Sequence, residues 1–296
     1  MEFKELSQLM SGLEDTSSRL ELTSMVSEFI KEVDDVDLTS IVLFLRGRVY
    51  PLHDSREIGV AEKLMIKALS QVSGETEKQV LDRLREVGDA GEVAEEILVN
   101  KPQTTLFTES LTVRKVSETL QKLGGIGGKG SIQRKLGYIK EILSAATPLD
   151  ARYVVRLILG DLRLGVGEGT IRDAIAQAWD VPKEKVENAF NLRGDLGEAA
   201  LTAKNKGEKG LDEVRMSPGR PVRVMLAQKA ESMEAVFEKY PKLQVEVKYD
   251  GARIQAHKWD DKIRLYTRRL EDVTKQFPEI TEACRKNLTP RSCIIE

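Results

Sequence analysis

The sequence predicts a multidomain protein of mixed α and α+β class, in which an all-helical N-terminal domain precedes the start of an antiparallel-sheet domain. From residue 1 to about residue 209, apolar residues recur at helical spacing. From residue 244 to residue 268, apolar and polar residues alternate as in half-buried strands. A turn-rich linker at residues 217–221 separates the two patterns. We place the boundary near Glu213, which gives domains 1–213 and 214–296.

The helical part begins with three amphipathic segments. Apolar stripes predict helices over residues 6–13 and 20–33, and Asp37 is expected to cap a third helix, which ends before Pro51. No fixed repeat period is recognised, so no repeat architecture is predicted. Residues 204–209 are predicted to be a solvated boundary. Further helices are predicted near residues 59–72, 76–87, 90–98, 111–123, 131–146, 149–159, 168–179 and 182–192.

The composition excludes several functional classes. Of the 296 residues, 32% are charged but the net charge is only -2, so contact with nucleic acid requires local clusters of Lys and Arg. Cys284 and Cys293 lack metal-ligand spacing, and His53 and His257 are isolated, so no metal-binding residues are predicted. No apolar stretch approaches the roughly 20 residues that span a bilayer, and no leader is recognised. A cytoplasmic protein without a membrane partner is expected.

A glycine-rich loop joins two predicted helices at residues 124–131. Its glycines allow backbone N–H groups to approach an anion, and a helix N-terminus at Ser131 attracts phosphate. The order of a nucleotide P-loop is absent because Gly130 separates Lys129 from Ser131. The alternative is a flexible connection without a ligand. Candidates for contact with a DNA backbone in this loop are Gly127, Lys129, Gly130, Ser131 and Lys135.

A second loop, residues 160–170, places Arg163 among glycines just before another helix. Arg163 and Gly165 are candidates for holding a phosphate in the same way. Backbone contacts of this kind carry little sequence information. Asp161 and Glu168 could instead form local caps or ion pairs with Arg163.

Strict alternation over residues 244–249 predicts a strand with Glu246 and Lys248 on one face. Asp250-Gly251 is typical of a two-residue hairpin turn, and the resulting register sets Lys248 opposite Arg253. A nearby fixed cation lowers the pKa of a lysine below roughly 10.4, and a deprotonated amine can attack an electrophile. Lys248 is therefore the candidate nucleophile. The alternative is an exposed hairpin with a surface ion pair between Glu246 and Lys248.

The elements around this hairpin follow from the same patterns. Residues 231–239 predict a short helix, and a turn at Trp259-Asp260-Asp261 precedes an alternating stretch that ends in Arg268-Arg269. The apolar run Ser292-Cys293-Ile294-Ile295 predicts a buried strand.

These segments carry a resemblance to one family. Glu246-Val247-Lys248-Tyr249-Asp250-Gly251-Ala252-Arg253 resembles the lysine nucleotidylation motif of ATP-dependent DNA ligases, ExKxDGxR. Residues 266–274, Tyr-Thr-Arg-Arg-Leu-Glu-Asp-Val-Thr, resemble their next motif, and residues 220–227 resemble the segment that opens their adenylation domain. Residues 162–168, Leu-Arg-Leu-Gly-Val-Gly-Glu, resemble a characteristic segment of their helical DNA-binding domain. The whole chain is most similar to ligases of the archaeal replicative type.

The resemblance implies a helical DNA-binding domain followed by part of a nucleotidyltransferase, or adenylation, domain. In that family the lysine corresponding to Lys248 attacks the α-phosphate of ATP, and the AMP it carries passes to the 5′-phosphate of a nick before the 3′-hydroxyl displaces it. Glu246 would recognise adenine, Arg253 and Arg268 would hold the nucleotide or nick phosphate, and Mg²⁺ would offset phosphate charge. The expected protein is a monomer that binds nicked double-stranded DNA in replication, repair and recombination, with a sliding clamp as a further partner.

One departure from the family concerns the last strand, where Glu296 matches only the first position of an acidic motif. We therefore expect a fragment, truncated inside the adenylation domain, that retains the nucleophile and is inactive alone. The alternatives are another lysine nucleotidyltransferase, such as an RNA ligase or an mRNA-capping guanylyltransferase, and a non-catalytic DNA-binding module.

Overall fold

The computed structural model describes residues 1–99, 110–224, 229–240 and 242–296. Met225, Leu226 and Ala227 of the predicted domain-opening segment lie outside the described residues. The described residues form fourteen helices and one three-stranded antiparallel sheet. The predicted fold class, helices first and an antiparallel sheet second, is confirmed.

Internal contacts divide the chain into two units. The helical unit comprises residues 1–190 and 195–214, and the sheet unit comprises residues 191–194 and 215–296. This division lies beside the predicted boundary at Glu213, which we keep as a proposal about domains. No helix within the described ranges combines the length and apolar character needed to cross a membrane.

Twelve helices precede residue 213, and the segments predicted from periodicity are confirmed to within a few residues. Asp37 was wrongly predicted to be a cap, because α3 begins at Asp35 after N-cap Asp34, and Asp37 is buried. Residues 204–209 belong to α12, which bends at Gly207. The helices are α1 Phe3–Glu14, α2 Arg19–Lys31, α3 Asp35–Leu45, α4 Glu62–Ser73, α5 Glu77–Val87, α6 Ala90–Leu98, α7 Val113–Gly125, α8 Ser131–Ala145, α9 Pro148–Leu159, α10 Glu168–Ala178, α11 Lys183–Arg193 and α12 Leu196–Asp212.

The helical unit contains an internal repeat, although no fixed repeat period was recognised in the sequence. Residues 58–96 align with residues 164–202 without a gap, and Ile58-Gly59-Val60-Ala61-Glu62 corresponds to Leu164-Gly165-Val166-Gly167-Glu168. Accordingly α4, α5 and α6 correspond to α10, α11 and α12. Asp89 and Asp195, at corresponding positions, both cap a helix with nearly the same backbone angles. The signal was available in the sequence as a match between two distant segments.

Corresponding helices of the two repeats pack on different helices of the unit. Helix α6 packs on α9 and α12 packs on α3, while α4 packs on α8 and α10 packs on α2. The N-terminal residues of α1 and α7 exchange backbone hydrogen bonds, Phe3 N–H to the Leu111 carbonyl and Val113 N–H to the Met1 carbonyl. A side chain at Gly197 would place its Cβ 2.9 Å from the Thr39 carbonyl oxygen, so glycine permits the close approach of α12 to α3. Buried side chains of both repeats belong to one hydrophobic core.

The sheet unit contains α13 Met233–Lys239, β1 Ile254–Trp259, β2 Lys262–Thr267, α14 Pro278–Asn287 and β3 Ser292–Ile295. The strand order is β2-β1-β3, and the β1–β2 turn lies at Asp260, whose φ is 51°. The predicted turn, the strand that follows it and the short helix are confirmed. The predicted last strand is present as β3 but is not buried, since Ile295 is 42% exposed. Helix α14 was not predicted.

His257, expected to be a structural or surface residue, is fully buried in β1. The Gly219 N–H donates to His257 Nδ1 at 3.1 Å, and the Tyr266 hydroxyl donates to the Gly219 carbonyl at 2.7 Å. The Tyr266 ring packs edge-on against the imidazole with the centroids 4.9 Å apart. Burial lowers the pKa of His257 to about 4. The neutral imidazole thus fastens the linker at Gly219 to the sheet.

We predict that acid weakens the sheet unit through His257. Its folded pKa of about 4 lies below the unfolded value of 6.5, so the unfolded chain binds the extra proton between these pH values. The free energy of unfolding should be unaffected by this group above pH 6.5 and should fall by about 3 kcal/mol as the pH approaches 4. Urea unfolding followed by Trp259 fluorescence in a Trp179→Phe background measures this dependence. A His257→Gln variant should show a flatter pH dependence, and equal slopes would contradict the assignment.

Candidate functional site

The segment that carries the candidate nucleophile, residues 242–253, forms neither helix nor strand. Lys248 is exposed, and its neighbours Val247 and Tyr249 are 75% and 87% exposed. The predicted strand over residues 244–249 and the hairpin turn at Asp250-Gly251 are therefore wrong for this structure. The predicted pairing of Lys248 with Arg253 is not formed.

Part of the predicted hairpin is incompatible with the pairing of β1, since a strand has only two edges. A two-residue turn at Asp250-Gly251 would pair Val245 with Ala256, but Ala256 pairs with Ile295 of β3 on one edge and with Leu265 of β2 on the other. The edge of β1 that β3 occupies from Ala256 onward is therefore closed to the predicted partners Val245 and Gln244. The alternating apolar side chains Val245, Val247 and Tyr249 are exposed.

The structure instead brings Arg253 close to Glu296. Arg253 Nε lies 3.6 Å from Glu296 Oε1, and both side chains are partly exposed. Glu246 is exposed and accepts a hydrogen bond from the Gln244 side-chain amide. The cation expected to face Lys248 thus contacts the carboxylate that the resemblance assigns to the next acidic motif.

Arg268 is presented by the turn that follows β2. The Thr267 hydroxyl accepts hydrogen bonds from the N–H groups of Arg269 and Glu271 at 3.2 and 3.3 Å. Leu270 has a φ of 67°, which tightens the turn. Both arginines of the turn are exposed to solvent.

The cation implied by the family has no preformed site in the part of the chain that the structure describes. No three His, Cys, Asp or Glu side chains are grouped there as metal ligands. Mg²⁺ is typically held by one or two carboxylates together with substrate phosphates, and no step is assigned to the ion.

In the helical unit, the loop at residues 126–130 presents Lys129 and the N-terminus of α8 to solvent. Gly130 precedes α8 without a side-chain cap, and no protein atom lies within 4 Å of a Cβ built at Gly127, Gly128 or Gly130. The Arg134 guanidinium donates to the Gly127 carbonyl at 2.8 Å and so supports the loop. An anion can approach these backbone N–H groups directly.

Lys135 does not reach that surface, although it was a candidate for contact with DNA. Its side chain is buried, and Nζ donates to the carbonyls of Ile58 and Gly59 at 2.6 and 2.9 Å. Burial lowers the pKa of this lysine. Lys135 therefore fastens the α3–α4 connection to α8.

The loop at residues 160–167 alternates between buried and exposed side chains. Leu162, Leu164 and Val166 point into the core, whereas Arg163 and Gly165 are exposed. The positive φ angles of Arg163 and Gly165, 58° and 66°, turn the backbone outward. The space beside Gly165 is open. An exposed arginine beside an open stretch of backbone is the arrangement expected of a loop that contacts a phosphate backbone.

Arg163 forms one of the ion pairs that the sequence left open as an alternative, that with Asp161, and an unpredicted one with Asp89. Its guanidinium lies 2.6 Å from Asp161 Oδ2 and 3.2 Å from Asp89 Oδ2. The hydrogen bond to Asp161 raises the pKa of Arg163, with the charge of Asp89 contributing. These two ion pairs fix the orientation of the Arg163 guanidinium.

Asp89 connects Arg163 to a buried ion cluster that the sequence did not reveal. Arg156 and Asp89 are 3% and 5% exposed, and their nearest N and O atoms are 3.0 Å apart. Arg156 also contacts Glu14 at 2.5 Å. Burial opposes the charge on Asp89, but the hydrogen bonds from Arg156 and the Glu92 N–H outweigh it and hold the pKa of the carboxyl below its ordinary value.

Comparisons with known proteins give the family to which the sequence is similar. A family model described as DNA ligase N terminus matches residues 2–176, and one described as ATP dependent DNA ligase domain matches residues 224–296. A DNA ligase of Archaeoglobus fulgidus is 44% identical over 292 residues, covering 98% of this chain and 52% of the relative. DNA ligases of Methanothermobacter thermautotrophicus and Thermococcus fumicolans are each 41% identical, covering 99% and 100% of this chain and 52% and 53% of the relatives. The chain thus spans about half the length of these relatives.

Proposed function

The chain belongs to the ATP-dependent DNA ligase family. We propose that it supplies the domain that binds duplex DNA and the nucleophile of an enzyme that seals nicks in DNA. The observation that carries the proposal is the contact between Arg253 and Glu296, 3.6 Å apart, because it joins residues of two separate family motifs. Lys248 lies five residues before Arg253 in an exposed segment, where a nucleotide can reach its amine.

In the proposed reaction the Lys248 amine attacks the α-phosphate of ATP. A phosphorus–nitrogen bond forms, the bond to the leaving oxygen breaks, and pyrophosphate departs. AMP then passes to the 5′-phosphate at a nick, and the 3′-hydroxyl displaces it to form the phosphodiester. Glu246 is assigned to the adenine, and Arg253 and Arg268 to the nucleotide or nick phosphate.

We propose that the 296-residue chain transfers AMP poorly by itself. Lys248 and Glu246 are exposed, and Arg253 is engaged by Glu296, so the described residues do not enclose a nucleotide. Catalysis by a lysine nucleophile requires the reacting atoms to be held in position in a site that excludes water.

We assign duplex binding to the helical unit. Lys129 and the α8 N-terminus form one anion-attracting surface, and Arg163 with the open backbone at Gly165 forms another. Such contacts neutralise phosphates without reading bases, which suits an enzyme that closes nicks in any sequence. A cytoplasmic, monomeric enzyme of replication, repair and recombination, with a sliding clamp as a further partner, is consistent with this assignment.

A chimera tests the proposed function. Joining this chain to the second half of the Archaeoglobus fulgidus relative should give a protein that seals a 5′-phosphorylated nick in duplex DNA when ATP is supplied. Gel separation of the sealed strand measures the activity, and the relative itself is the positive control. Sealing of nicked RNA duplex with no activity on DNA would contradict the assignment and favour an RNA ligase.

A further inference from the structure

Two carboxylates of different exposure occupy the two edges of the Arg163 guanidinium. We call residues 160–167 the Arg163 loop. On one edge, Nε and Nη2 lie 2.8 and 2.6 Å from Asp161 Oδ2. On the other edge, Nη1 lies 3.2 Å from Asp89 Oδ2, and both terminal nitrogens lie 3.5 Å from the Gly88 carbonyl oxygen. The side chain is thus held from both sides although it is half-exposed.

The carboxylate of Asp89 is buried and bound on several sides. Its Oδ1 accepts hydrogen bonds from the Gly91 and Glu92 N–H groups at 2.7 and 3.0 Å. The Arg156 guanidinium pairs with its Oδ2 at 3.0 Å, and the Asp89 side chain is only 5% exposed. An anion from solution cannot readily displace a carboxylate that is buried and paired in this way. The edge of Arg163 that faces Asp89 is therefore closed to a phosphate.

Asp161 differs from Asp89 because its side chain is 58% exposed and lies on the Arg163 loop itself. Leu162 and Leu164 point into the core, so Asp161 and Arg163 both lie on the solvent side of the loop. An exposed ion pair changes an equilibrium by no more than about fivefold, because both charges regain water when the pair separates. Asp161 can consequently leave the guanidinium at little cost.

A phosphate that binds Arg163 with two hydrogen bonds requires the edge that Asp161 occupies. Guanidinium groups bind phosphate through two parallel N–H donors, and Nε and Nη2 form one such pair. The other pair, on the two terminal nitrogens, faces Asp89 and the Gly88 carbonyl. A bidentate phosphate would therefore take the position of Asp161 Oδ2, and two negative groups cannot share that position because they repel each other.

We propose that Asp161 competes with a backbone phosphate of duplex DNA for the guanidinium of Arg163. In the protein without DNA, Asp161 occupies the edge formed by Nε and Nη2, and it leaves when a phosphate binds there, while Asp89 keeps the opposite edge. Asp161 therefore lowers the affinity of this contact. The inference rests on the proposed binding of duplex DNA by the helical unit, and it deepens that function by naming a residue that opposes binding.

A double-mutant cycle between Asp161 and Arg163 tests this competition. Binding of the 296-residue chain to a nicked 5′-phosphorylated duplex is measured by fluorescence anisotropy. The salt concentration is about 150 mM KCl, near physiological ionic strength. Asp161→Asn keeps the size of the side chain and should raise the association constant about three- to fivefold. In an Arg163→Gln background the same change should raise it less than about 1.5-fold, because no guanidinium remains to be released.

The matched control is Asp82→Asn, because Asp82 also pairs with an exposed arginine, Arg85, at 3.4 Å on α5. This change removes the same charge without releasing Arg163, and it should leave the association constant within about 1.5-fold of the unmodified chain, since salt screens distant charges. Circular dichroism checks that every variant is folded. Should Arg163→Gln unfold, Arg163→Lys takes its place, because an ammonium lacks the two parallel donors, and the gain from Asp161→Asn should again fall below about twofold.

The outcomes separate this inference from the proposed function. If the unmodified chain does not bind the nicked duplex, the proposed function of the helical unit fails and the competition fails with it. If the chain binds but Asp161→Asn leaves the association constant unchanged or lowers it, only the competition fails, since Asp161 would then not oppose binding. An equal increase in both backgrounds also overturns it, because general repulsion between Asp161 and DNA would account for the gain. An increase confined to the chain that retains Arg163 supports the competition.

Discussion

Replacing Lys248 by alanine should abolish covalent AMP transfer in the chimera that carries the second half of the Archaeoglobus fulgidus relative. No other side chain supplies the nitrogen that the phosphoramidate requires, so the loss should reach at least about a thousandfold. Mass spectrometry after incubation with ATP should find one AMP on the peptide that contains Lys248. The 296-residue chain alone should show little of this adduct.

The matched control for this result is Lys262→Ala, which removes another exposed lysine from the sheet unit at the start of β2. It should label as well as the unmodified chimera. An AMP adduct on a different residue, or undiminished labelling of Lys248→Ala, would remove the nucleophile from the proposed mechanism.

Replacing Asp89 by asparagine and replacing Asp195 by asparagine should have opposite effects on the free energy of unfolding, although the two residues occupy the same position in the repeat. Asparagine keeps a helix cap, so the comparison isolates the charge. Asp89 faces the buried guanidinium of Arg156, and losing its charge leaves that cation compensated mainly by Glu14. We expect Asp89→Asn to lower the free energy of unfolding by about 2–4 kcal/mol.

Asp195 lacks this partner. It caps α12 through the Glu198 N–H, forms no ion pair within the described ranges, and burial raises the pKa of its carboxyl. Asp195→Asn should therefore change the free energy of unfolding by less than about 1 kcal/mol, and any change should be stabilising. Urea unfolding followed by circular dichroism at 222 nm compares the two variants. Equal destabilisation would show that the cap, and not the Arg156 pair, accounts for the contribution of Asp89.

The helical part was largely predictable because its elements depend on local spacing. Apolar periodicity located the helices to within a few residues, and the turn before β2 followed from Asp260-Asp261 between alternating runs. The two loops with exposed cations were recognised from their glycines. Lys135 was misassigned because its spacing places it beside Lys129 and Arg134 in sequence, whereas the packing of α8 on α4 turns its ammonium inward.

The segment around Lys248 shows that a local sequence pattern cannot predict whether a strand is paired. Alternation over residues 244–249 is the same in a paired strand and in an exposed extended segment. Which occurs depends on tertiary pairing, and β2 and β3 occupy both edges of β1 from Ala256 onward, where the predicted partners of Val245 and Gln244 lie.

The sequence by itself determined the family, the candidate lysine and the order of helices and strands, because these depend on residue identity and on spacing over a few residues. Only the tertiary structure decided that Lys248 is exposed, that Arg253 lies beside Glu296, and that Asp89 and Arg156 form a buried ion pair. Strand edges and buried charges have few possible partners, and the packing of the whole chain selects among them.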